Sequence, residues 1–139
     1  MNSLANNCLL KVATFAAQLE QYQEAIEKFE NVATASMSSA LSKFSVKEYL
    51  FKAGLCHFCL NDPVSAARAL ERYQEIDPTF QGSREQKLLS SILEAIETND
   101  VQMFTDYVAD YDRMTKLDNW KTAILLRIKK CIDAEPSLT

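Results

Sequence analysis

Glycine, proline and histidine are the residues that this sequence has least of. Its 139 residues include two glycines, three prolines and one histidine. A sheet protein needs many tight turns, and so few glycines and prolines cannot supply them. The long segments between them are rich in Ala, Leu, Glu, Lys and Gln, which favour helices. Composition therefore predicts an all-α chain, and 47% hydrophobic residues are enough to bury one core.

A net positive charge and long apolar runs are also lacking. The net charge is -4 and the isoelectric point is near 5.0, which argues against nucleic-acid binding because that needs clustered Lys and Arg. No apolar run approaches the roughly 20 residues that span a bilayer, and the first residues lack a basic leader with a cleavage site. We therefore expect a cytoplasmic protein with no nucleic-acid partner.

The four cysteines and the single histidine give little support for a catalytic or metal site. Cys56 and Cys59 have the C-x-x-C spacing, but the pair lies inside a helical pattern and no second ligand pair follows. We expect reduced thiols, no cofactor, no metal and no enzyme activity. A thiol or metal enzyme built on Cys56, His57 and Cys59 stays as an alternative that a lowered thiol pKa would support.

Apolar residues at helical spacing predict about seven helices. The first should cover Asn6 to Glu20 and be packed on two sides, and the second should run from Tyr22 to about Ser38. The Ser-rich stretch from Ser36 to Ser45 should be the longest loop, anchored locally by Leu41. Three helix starts carry capping signals, namely Ser45 with Glu48, Asp62 before Pro63, and Ser83 with Gln86.

A repeat is visible within this pattern. The pair Asn61-Asp62 recurs as Asn99-Asp100, 38 residues later, and each pair precedes a helix start. Such a period indicates stacked helical hairpins. The segment from Gly54 to Phe80 looks like a tetratricopeptide unit, with small residues where helices cross. We therefore predict a tetratricopeptide-like right-handed α-solenoid of antiparallel hairpins that ends in a small helical bundle.

The last segment divides into a helix and a tail. Asp118 is a suitable N-cap, and the helix after it has an apolar stripe that should seal the end of the hairpin stack. Arg127, Lys129 and Lys130 suit the negative end of its dipole. Pro136 prevents the helix from continuing. We therefore divide the chain into a helical domain, 1–132, and a flexible acidic tail, 133–139. The stripe consists of Trp120, Ile124, Ile128 and Ile132, with Leu125 and Cys131 beside it on the same apolar face.

Longer strings of sequence carry a family resemblance. They are CLLKVA from Cys8, LEQYQ from Leu19, KAGLCHFCL from Lys52, ALERYQEIDPTF from Ala69 and LDNWKTAILLRIKK from Leu117. On these the chain resembles the alpha-type soluble attachment proteins of NSF, the N-ethylmaleimide-sensitive fusion ATPase. The resemblance covers only the carboxyl-terminal half of that family, so we expect a fragment, a truncated product or a reduced relative.

The resemblance implies an adaptor in vesicle fusion that coats a SNARE four-helix complex of the syntaxin type and presents acidic groups to the hexameric AAA+ ATPase. The implied role is to stimulate SNARE disassembly, without catalysis by the adaptor. The family's acidic run and penultimate leucine match the tail. The ATPase-binding residues implied by the resemblance are Asp62, Glu94, Glu97, Asp100, Asp133, Glu135 and Leu138.

On the SNARE side, the resemblance implies a binding surface formed by Lys11, Leu41, Lys43 and Lys47. Asn7 replaces a family lysine next to it. The amino-terminal half, with its membrane-touching loop, is also missing. We therefore expect weak binding to SNARE complexes and only peripheral membrane association, on the cytosolic face. The alternative function is a generic tetratricopeptide-like scaffold whose lysines hold the carboxylates of a peptide.

Overall fold

Three helical hairpins and a seventh helix make up residues 3–133, the part of the chain that the structure, a computed structural model, describes. The hairpins are α1 (Ser3–Gln18) with α2 (Tyr22–Ser36), α3 (Val46–Phe58) with α4 (Pro63–Ile76), and α5 (Arg84–Glu97) with α6 (Val101–Met114). Helix α7 spans Asn119–Asp133. Within the described residues no helix is both long enough and apolar enough to cross a membrane. The predicted all-α stack of hairpins is confirmed.

The three hairpin turns share one backbone conformation. Glu20, Asn61 and Asn99 each adopt a positive φ, of 63°, 62° and 57°. Asparagine tolerates this left-handed conformation better than most residues do. The residues that follow, Asp62 and Asp100, cap α4 and α6 by accepting from the backbone N–H three residues on, at 3.1 and 2.9 Å. The turn between α1 and α2 therefore shares the left-handed residue of the two repeated turns, although Gln21 makes no side-chain cap.

Two of the remaining predicted caps are confirmed and one is wrong. Ser83 accepts from the N–H of Gln86 at 3.1 Å, and Asp118 accepts from the N–H of Lys121 at 2.8 Å. Ser45 makes no capping hydrogen bond. It lies in a 3₁₀ turn, Lys43–Ser45, that continues directly into α3, and the N–H of Val46 bonds to the carbonyl of Lys43. The helix start is therefore satisfied by the backbone of the preceding turn.

Antiparallel hairpins place their connections alternately at two edges of the stack. The turns at 19–21, 59–62 and 98–100 lie at one edge, which we call the turn edge. The connections at 37–45, 77–83 and 115–118 lie at the other, the loop edge. Because α7 starts from the loop edge, its carboxyl-terminal end reaches the turn edge. Residues of the last two turns, together with the end of α7, line one pocket: Asn61, Asn99, Ile128 and Ile132.

Helix α3 is the centre of the core. It packs against α2, α4, α5 and α7, and Leu50, Phe51 and Leu55 are completely buried. Gly54 lets α5 approach, because a Cβ at this position would lie 2.8 Å from Cδ1 of Leu89. The prediction of small residues where helices cross is confirmed at this contact. A second connecting 3₁₀ turn, Pro78–Phe80, adds the buried ring of Phe80, which lies 6.3 Å from that of Tyr73.

Helix α1 is packed on one side only, so the prediction of a helix packed on two sides is wrong. Ala13, Ala16 and Ala17 face the core. The opposite face exposes three large apolar side chains, whose exposed fractions are 72% for Leu4, 41% for Val12 and 60% for Phe15, and Leu19, directly after the helix, is 69% exposed. In a solenoid, an apolar face of this kind is where a neighbouring repeat packs.

Helix α7 packs against α6, the last helix of the hairpin stack, and it also reaches back to α1 at the start of the stack. The Nε1–H of Trp120 donates to the carbonyl of Thr14 in α1 at 3.2 Å, and its ring meets that of Phe29 in α2 edge to face. Ile124, Ile128 and Ile132 of the stripe are buried, and so is Leu125 beside it. Cys131, which was also predicted on this apolar face, is exposed, so that placement is wrong.

Two cationic side chains of α7 bind helices from earlier in the chain, α1 and α3. Arg127 donates to the carbonyls of Ala17 at 2.7 Å and Gln18 at 3.2 Å, so it interacts with the negative end of α1 and not only with its own helix dipole. The ammonium of Lys121 lies 2.6 Å from Glu48 of α3. Burial would lower the pKa of Lys121, but Glu48 and Asp118 outweigh it and raise the pKa. These polar contacts join α7 to α1 and α3.

Candidate functional site

The turn edge brings together most of the predicted ATPase-binding carboxylates. Asp62 is exposed at the turn between α3 and α4, and Asp100 lies half-buried at the turn between α5 and α6. Glu94 and Glu97 are exposed in the last turn of α5, and Asp133 is exposed at the end of α7. The topology places all five at the same edge, although they are far apart in sequence. Glu135 and Leu138 lie outside the described residues.

The capping role of the turn aspartates fixes their positions. The cap uses Oδ1 of Asp62 and Oδ1 of Asp100. Each carboxylate is therefore held at the end of a helix, while Asp62 remains exposed to solvent. A carboxylate held in this way loses little side-chain entropy when a cation binds to it. The two aspartates are thus pre-positioned, in contrast to Glu94 and Glu97, which extend from the helix surface.

Sequence reasoning missed one acidic residue of this edge. Glu20 is exposed and occupies the left-handed position of the first turn, equivalent to Asn61 and Asn99. The dipeptide Glu20-Gln21 does not resemble Asn-Asp, so pattern matching could not find it. The regular order of hairpins would have found it, because every second connection must lie at the same edge.

The loop edge carries three of the four predicted SNARE-binding residues. Leu41 and Lys43 are exposed in the connection from α2 to α3, and Lys47 is half-buried in the first turn of α3. Leu41 was also predicted to anchor this connection locally, which is wrong because it is 91% exposed. Phe44, 81% exposed, is a second large apolar side chain here that the site prediction omitted. The feature of the sequence that could have indicated Phe44 as a site residue is an aromatic residue within a Ser-rich stretch.

Lys11 is separated from these residues. It is exposed near the middle of α1, on the same side as the uncovered Phe15. The loop edge is about half a helix length away, because α1 and α2 run antiparallel and the loop begins after the end of α2. Lys11 therefore belongs to the outer face of α1, whereas Leu41, Lys43, Phe44 and Lys47 form one patch, which we call the loop-edge patch.

The C-x-x-C segment has the properties of core residues. Cys56 is completely buried and Cys59 is half-buried at the end of α3. Burial raises the pKa of the Cys56 thiol, and it raises that of Cys59 to about 12. A nucleophilic cysteine needs the opposite shift. Among residues 3–133, no three or more His, Cys, Asp and Glu side chains are grouped so that they could hold a metal ion.

The single histidine belongs to a small polar cluster between hairpins. Nε2 of His57 lies 3.4 Å from Oε2 of Glu30, to which Tyr73 also donates at 2.5 Å and Arg72 at 3.2 Å. Burial would raise the pKa of Glu30, but His57, Tyr73 and Arg72 outweigh it and lower the pKa. One carboxylate therefore joins α2 to α3 and α4. The cluster lies between packed helices.

A stack of helical hairpins with a carboxylate-lined turn edge and an exposed apolar and basic loop edge defines a helical-repeat scaffold with two separate surfaces. Comparison with known proteins gives the family. The model of the family described as "Soluble NSF attachment protein, SNAP" matches residues 1–133. The chain belongs to the soluble NSF attachment protein family.

Individual relatives agree with the family match. The chain is similar to alpha-soluble NSF attachment proteins of Mus musculus, 52% identical over 134 residues, and of Vitis vinifera, 51% identical over 131 residues. It is also 49% identical over 139 residues to a protein of Schizosaccharomyces pombe named as a probable vesicular-fusion protein sec17 homolog. These matches cover 96%, 94% and 99% of this chain, but only 45%, 45% and 48% of the relatives. The chain thus spans about half the length of the curated relatives that it matches.

Proposed function

We propose that this chain is a non-enzymatic adaptor in vesicle fusion, which links SNARE four-helix complexes to the NSF-type hexameric ATPase and stimulates SNARE disassembly. The observation that carries the proposal is the gathering of Asp62, Glu94, Glu97, Asp100 and Asp133 at one edge of a member of this family. Several weak ion pairs at such an edge add up when a partner presents Arg and Lys in register.

The loop-edge patch supports the other half of the proposal. Leu41 and Phe44 offer exposed apolar area beside Lys43 and Lys47, a combination suited to the mixed surface of a helical bundle. The patch and the turn edge are at opposite ends of the hairpins, so one chain has room for both partners. Binding to SNARE complexes should be weak, because Lys11 is distant from the patch and the chain spans less than half of its relatives. Membrane association is then peripheral, through the complex and on the cytosolic face.

Charge reversal at the turn edge tests the proposal. The double variant Glu94→Lys with Glu97→Lys should lose most of the stimulation of ATPase activity measured in the presence of a syntaxin-type SNARE complex. The matched control is Glu71→Lys with Glu75→Lys, which changes the net charge equally at exposed positions of α4 close to the loop edge. Equal losses in both variants, or no loss in either, would contradict the proposed surface.

The tail gives an independent arm of the same experiment. Leu138→Ala should reduce stimulation while leaving capture of SNARE complexes unchanged, because the residue follows the end of α7 at the turn edge in sequence.

A generic peptide scaffold makes a different prediction. It should bind acidic peptides through Lys11, Lys43 and Lys47 more tightly than it binds assembled SNARE complexes, and a titration of both ligands separates the two functions.

A further inference from the structure

Exposed apolar side chains are concentrated at the loop edge. Leu41 and Phe44, in the connection from α2 to α3, are 91% and 81% exposed. Leu4 lies in the first turn of α1 and is 72% exposed, and Met114 ends α6 and is 71% exposed. Because α1 ends at the turn edge, its first turn lies at the loop edge. Three separate parts of the chain thus bring large apolar groups to one edge, which is typical of a binding surface.

The same edge carries lysines that are free to meet a partner. Lys43 is exposed and Lys47 is half-buried in the loop-edge patch, and Lys116 is exposed in the connection from α6 to α7. Within residues 3–133, none of the three forms a salt bridge. The loop edge therefore combines exposed apolar groups with unpaired positive charge.

Carboxylates near this edge are engaged inside the fold. Glu48 and Asp118 both pair with the ammonium of Lys121, at 2.6 and 3.4 Å. Asp77 is buried and accepts from the N–H of Thr79 at 3.0 Å. Carboxylates that are paired or capped in this way repel an anionic partner less than free ones would. The lysines of the edge are thus not cancelled by these acidic neighbours.

The turn edge has the opposite charge. It also exposes apolar side chains, because Leu19 is 69% and Val64 is 63% exposed. Its exposed charges, however, include the carboxylates of Asp62, Glu94 and Glu97. An anionic surface would be repelled there and attracted to the lysines of the loop edge. Charge therefore decides which of the two edges suits an anionic, apolar partner.

A lipid bilayer with anionic headgroups is a partner of this chemistry. Proteins that bind a membrane interface insert apolar side chains at the boundary between headgroups and acyl chains, while Lys and Arg are attracted to the anionic lipids. A bilayer is also an extended surface, so side chains at the ends of separate helices can reach it together. The apolar groups of the loop edge come from α1, from the connection before α3 and from α6.

We propose that the loop edge binds directly to an anionic lipid bilayer. Leu41 and Phe44 enter the boundary between headgroups and acyl chains, Leu4 and Met114 extend the apolar contact, and the lysines of the edge bind the headgroups. The inference goes beyond the proposed function and does not depend on it, because the chain itself makes the contact without a SNARE complex. The turn edge then faces away from the membrane and stays accessible.

Flotation with lipid vesicles tests this contact with the full chain. Vesicles of equimolar phosphatidylcholine and phosphatidylserine should bind it, and vesicles of phosphatidylcholine alone should bind it much more weakly. Leu41→Ser with Phe44→Ser should lower the affinity for the anionic vesicles roughly tenfold or more, because two inserted apolar side chains are lost. The matched control, Leu19→Ser with Phe15→Ser, removes the same two residue types from exposed positions in and directly after α1 and should have little effect.

A second pair of variants tests the charges. Lys43→Gln with Lys47→Gln should lower the affinity about tenfold or more, because each cation near an anionic membrane contributes roughly fivefold. Lys129→Gln with Lys130→Gln removes the same charge near the turn edge, again from one exposed and one half-buried lysine. Its effect should be much smaller. Circular dichroism checks that each variant is folded.

Fluorescence locates the side chain that enters the bilayer. The variant Phe44→Trp should be quenched by lipids that carry bromine on their acyl chains. Leu19→Trp places the same indole on an exposed position at the turn edge and should not be quenched. Trp120 is present in both chains, so the comparison between them removes its contribution.

The outcomes separate this proposal from the proposed function. If the chain does not float, or floats equally on both kinds of vesicle, the bilayer contact is overturned, even where ATPase stimulation with SNARE complexes is intact. Flotation without such stimulation overturns the proposed function alone. Equal losses in the two serine variants also contradict the loop edge as the contact. If Leu41→Ser with Phe44→Ser abolishes self-association or SNARE capture but leaves vesicle binding unchanged, the patch binds protein and the proposal is wrong.

Discussion

Glu30 adds hydrogen bonds to the apolar packing between the first hairpin and the second. Its Oε2 accepts from the phenol of Tyr73 and from Arg72, and His57 lies beside it. Tyr73 is completely buried, and its pKa is raised well above the usual value, first by burial and then by the Glu30 charge. The tyrosine therefore stays protonated and keeps donating. Glu30 provides a charged acceptor that a neutral side chain replaces only in part.

The variant Glu30→Gln should lower the free energy of unfolding by about 1–3 kcal/mol at neutral pH, since hydrogen bonds to a charged group are the stronger ones. The pKa of Glu30 is lowered in the folded state, so the stabilisation is fully present above the ordinary value of 4.5. It is lost as the pH falls through the lower folded-state value. Urea unfolding of both proteins from pH 7 to pH 3 should show the difference shrinking in acid.

Glu27→Gln is the matched control for this measurement, because Glu27 is on the same helix and exposed. It should change the unfolding free energy by a few tenths of a kcal/mol at most, in keeping with exposed charges. A Glu30→Gln effect that is constant over the whole pH range would show that the loss comes from packing and not from the carboxylate.

Among the elements, α3 approaches α5 closely at Gly54. The Cβ of an alanine at position 54 would lie 2.8 Å from Cδ1 and 3.1 Å from Cδ2 of Leu89, and Leu89 is completely buried. Removing a glycine from a helix gains roughly 0.5–1 kcal/mol. Inserting a methyl group into a filled core costs about 1–3 kcal/mol, so Gly54→Ala should destabilise the chain. Chemical denaturation monitored by circular dichroism measures the change.

A double-mutant comparison isolates the contact between α3 and α5. In a Leu89→Ala background the obstructing methyl groups are absent, so Gly54→Ala should become neutral or stabilising. The sign of its effect should thus differ between the two backgrounds. The same loss in both would mean that the glycine is required for a reason other than its distance from Leu89.

The elements themselves were largely predictable from local pattern. Helical spacing predicted about seven helices, and the predicted capping residues Asp62, Ser83 and Asp118 fixed starts that the structure confirms. Ser45 was predicted as a cap from the same kind of pattern, but a 3₁₀ turn that continues into α3 replaced the cap. The first hairpin turn lacked any signature, because Glu20 adopts a left-handed conformation that its residue type does not favour.

At the scale of the whole molecule, the sequence could not reveal what each apolar face covers. The stripe of α7 predicted a packed helix, yet nothing local indicates that Trp120 bonds to Thr14, 106 residues earlier. The apolar residues of α1 predicted burial, but Leu4, Val12 and Phe15 are exposed, on a side that no other helix of the described residues covers. The turn edge was predictable in part: alternation of hairpins groups the carboxylates, while the pocket between them depends on where α7 ends.

The return of α7 to α1 also sets how the molecule unfolds. A simple solenoid contacts only neighbouring repeats and can unfold in steps. Here α7 contacts α1, α3 and α6, so the first and last elements stabilise each other. The chain has one tryptophan, and Trp120 lies at the junction of α7 with α1 and α2. We expect its fluorescence and the circular dichroism of all helices to change at the same urea concentration, as in a cooperative unit.

Arg127→Met should break this coupling. It leaves the carbonyl of Gln18 without its side-chain donor and removes one of the two donors to the carbonyl of Ala17, which still accepts from the N–H of Glu20; this should cost about 1–3 kcal/mol. Because the loss falls on the contact between α7 and α1, the fluorescence transition should move to lower urea and precede the loss of helicity. Lys130→Met removes the same charge from an exposed position of α7 and should leave the two transitions together. Coincident transitions in Arg127→Met would instead show that apolar packing alone holds α7 in place.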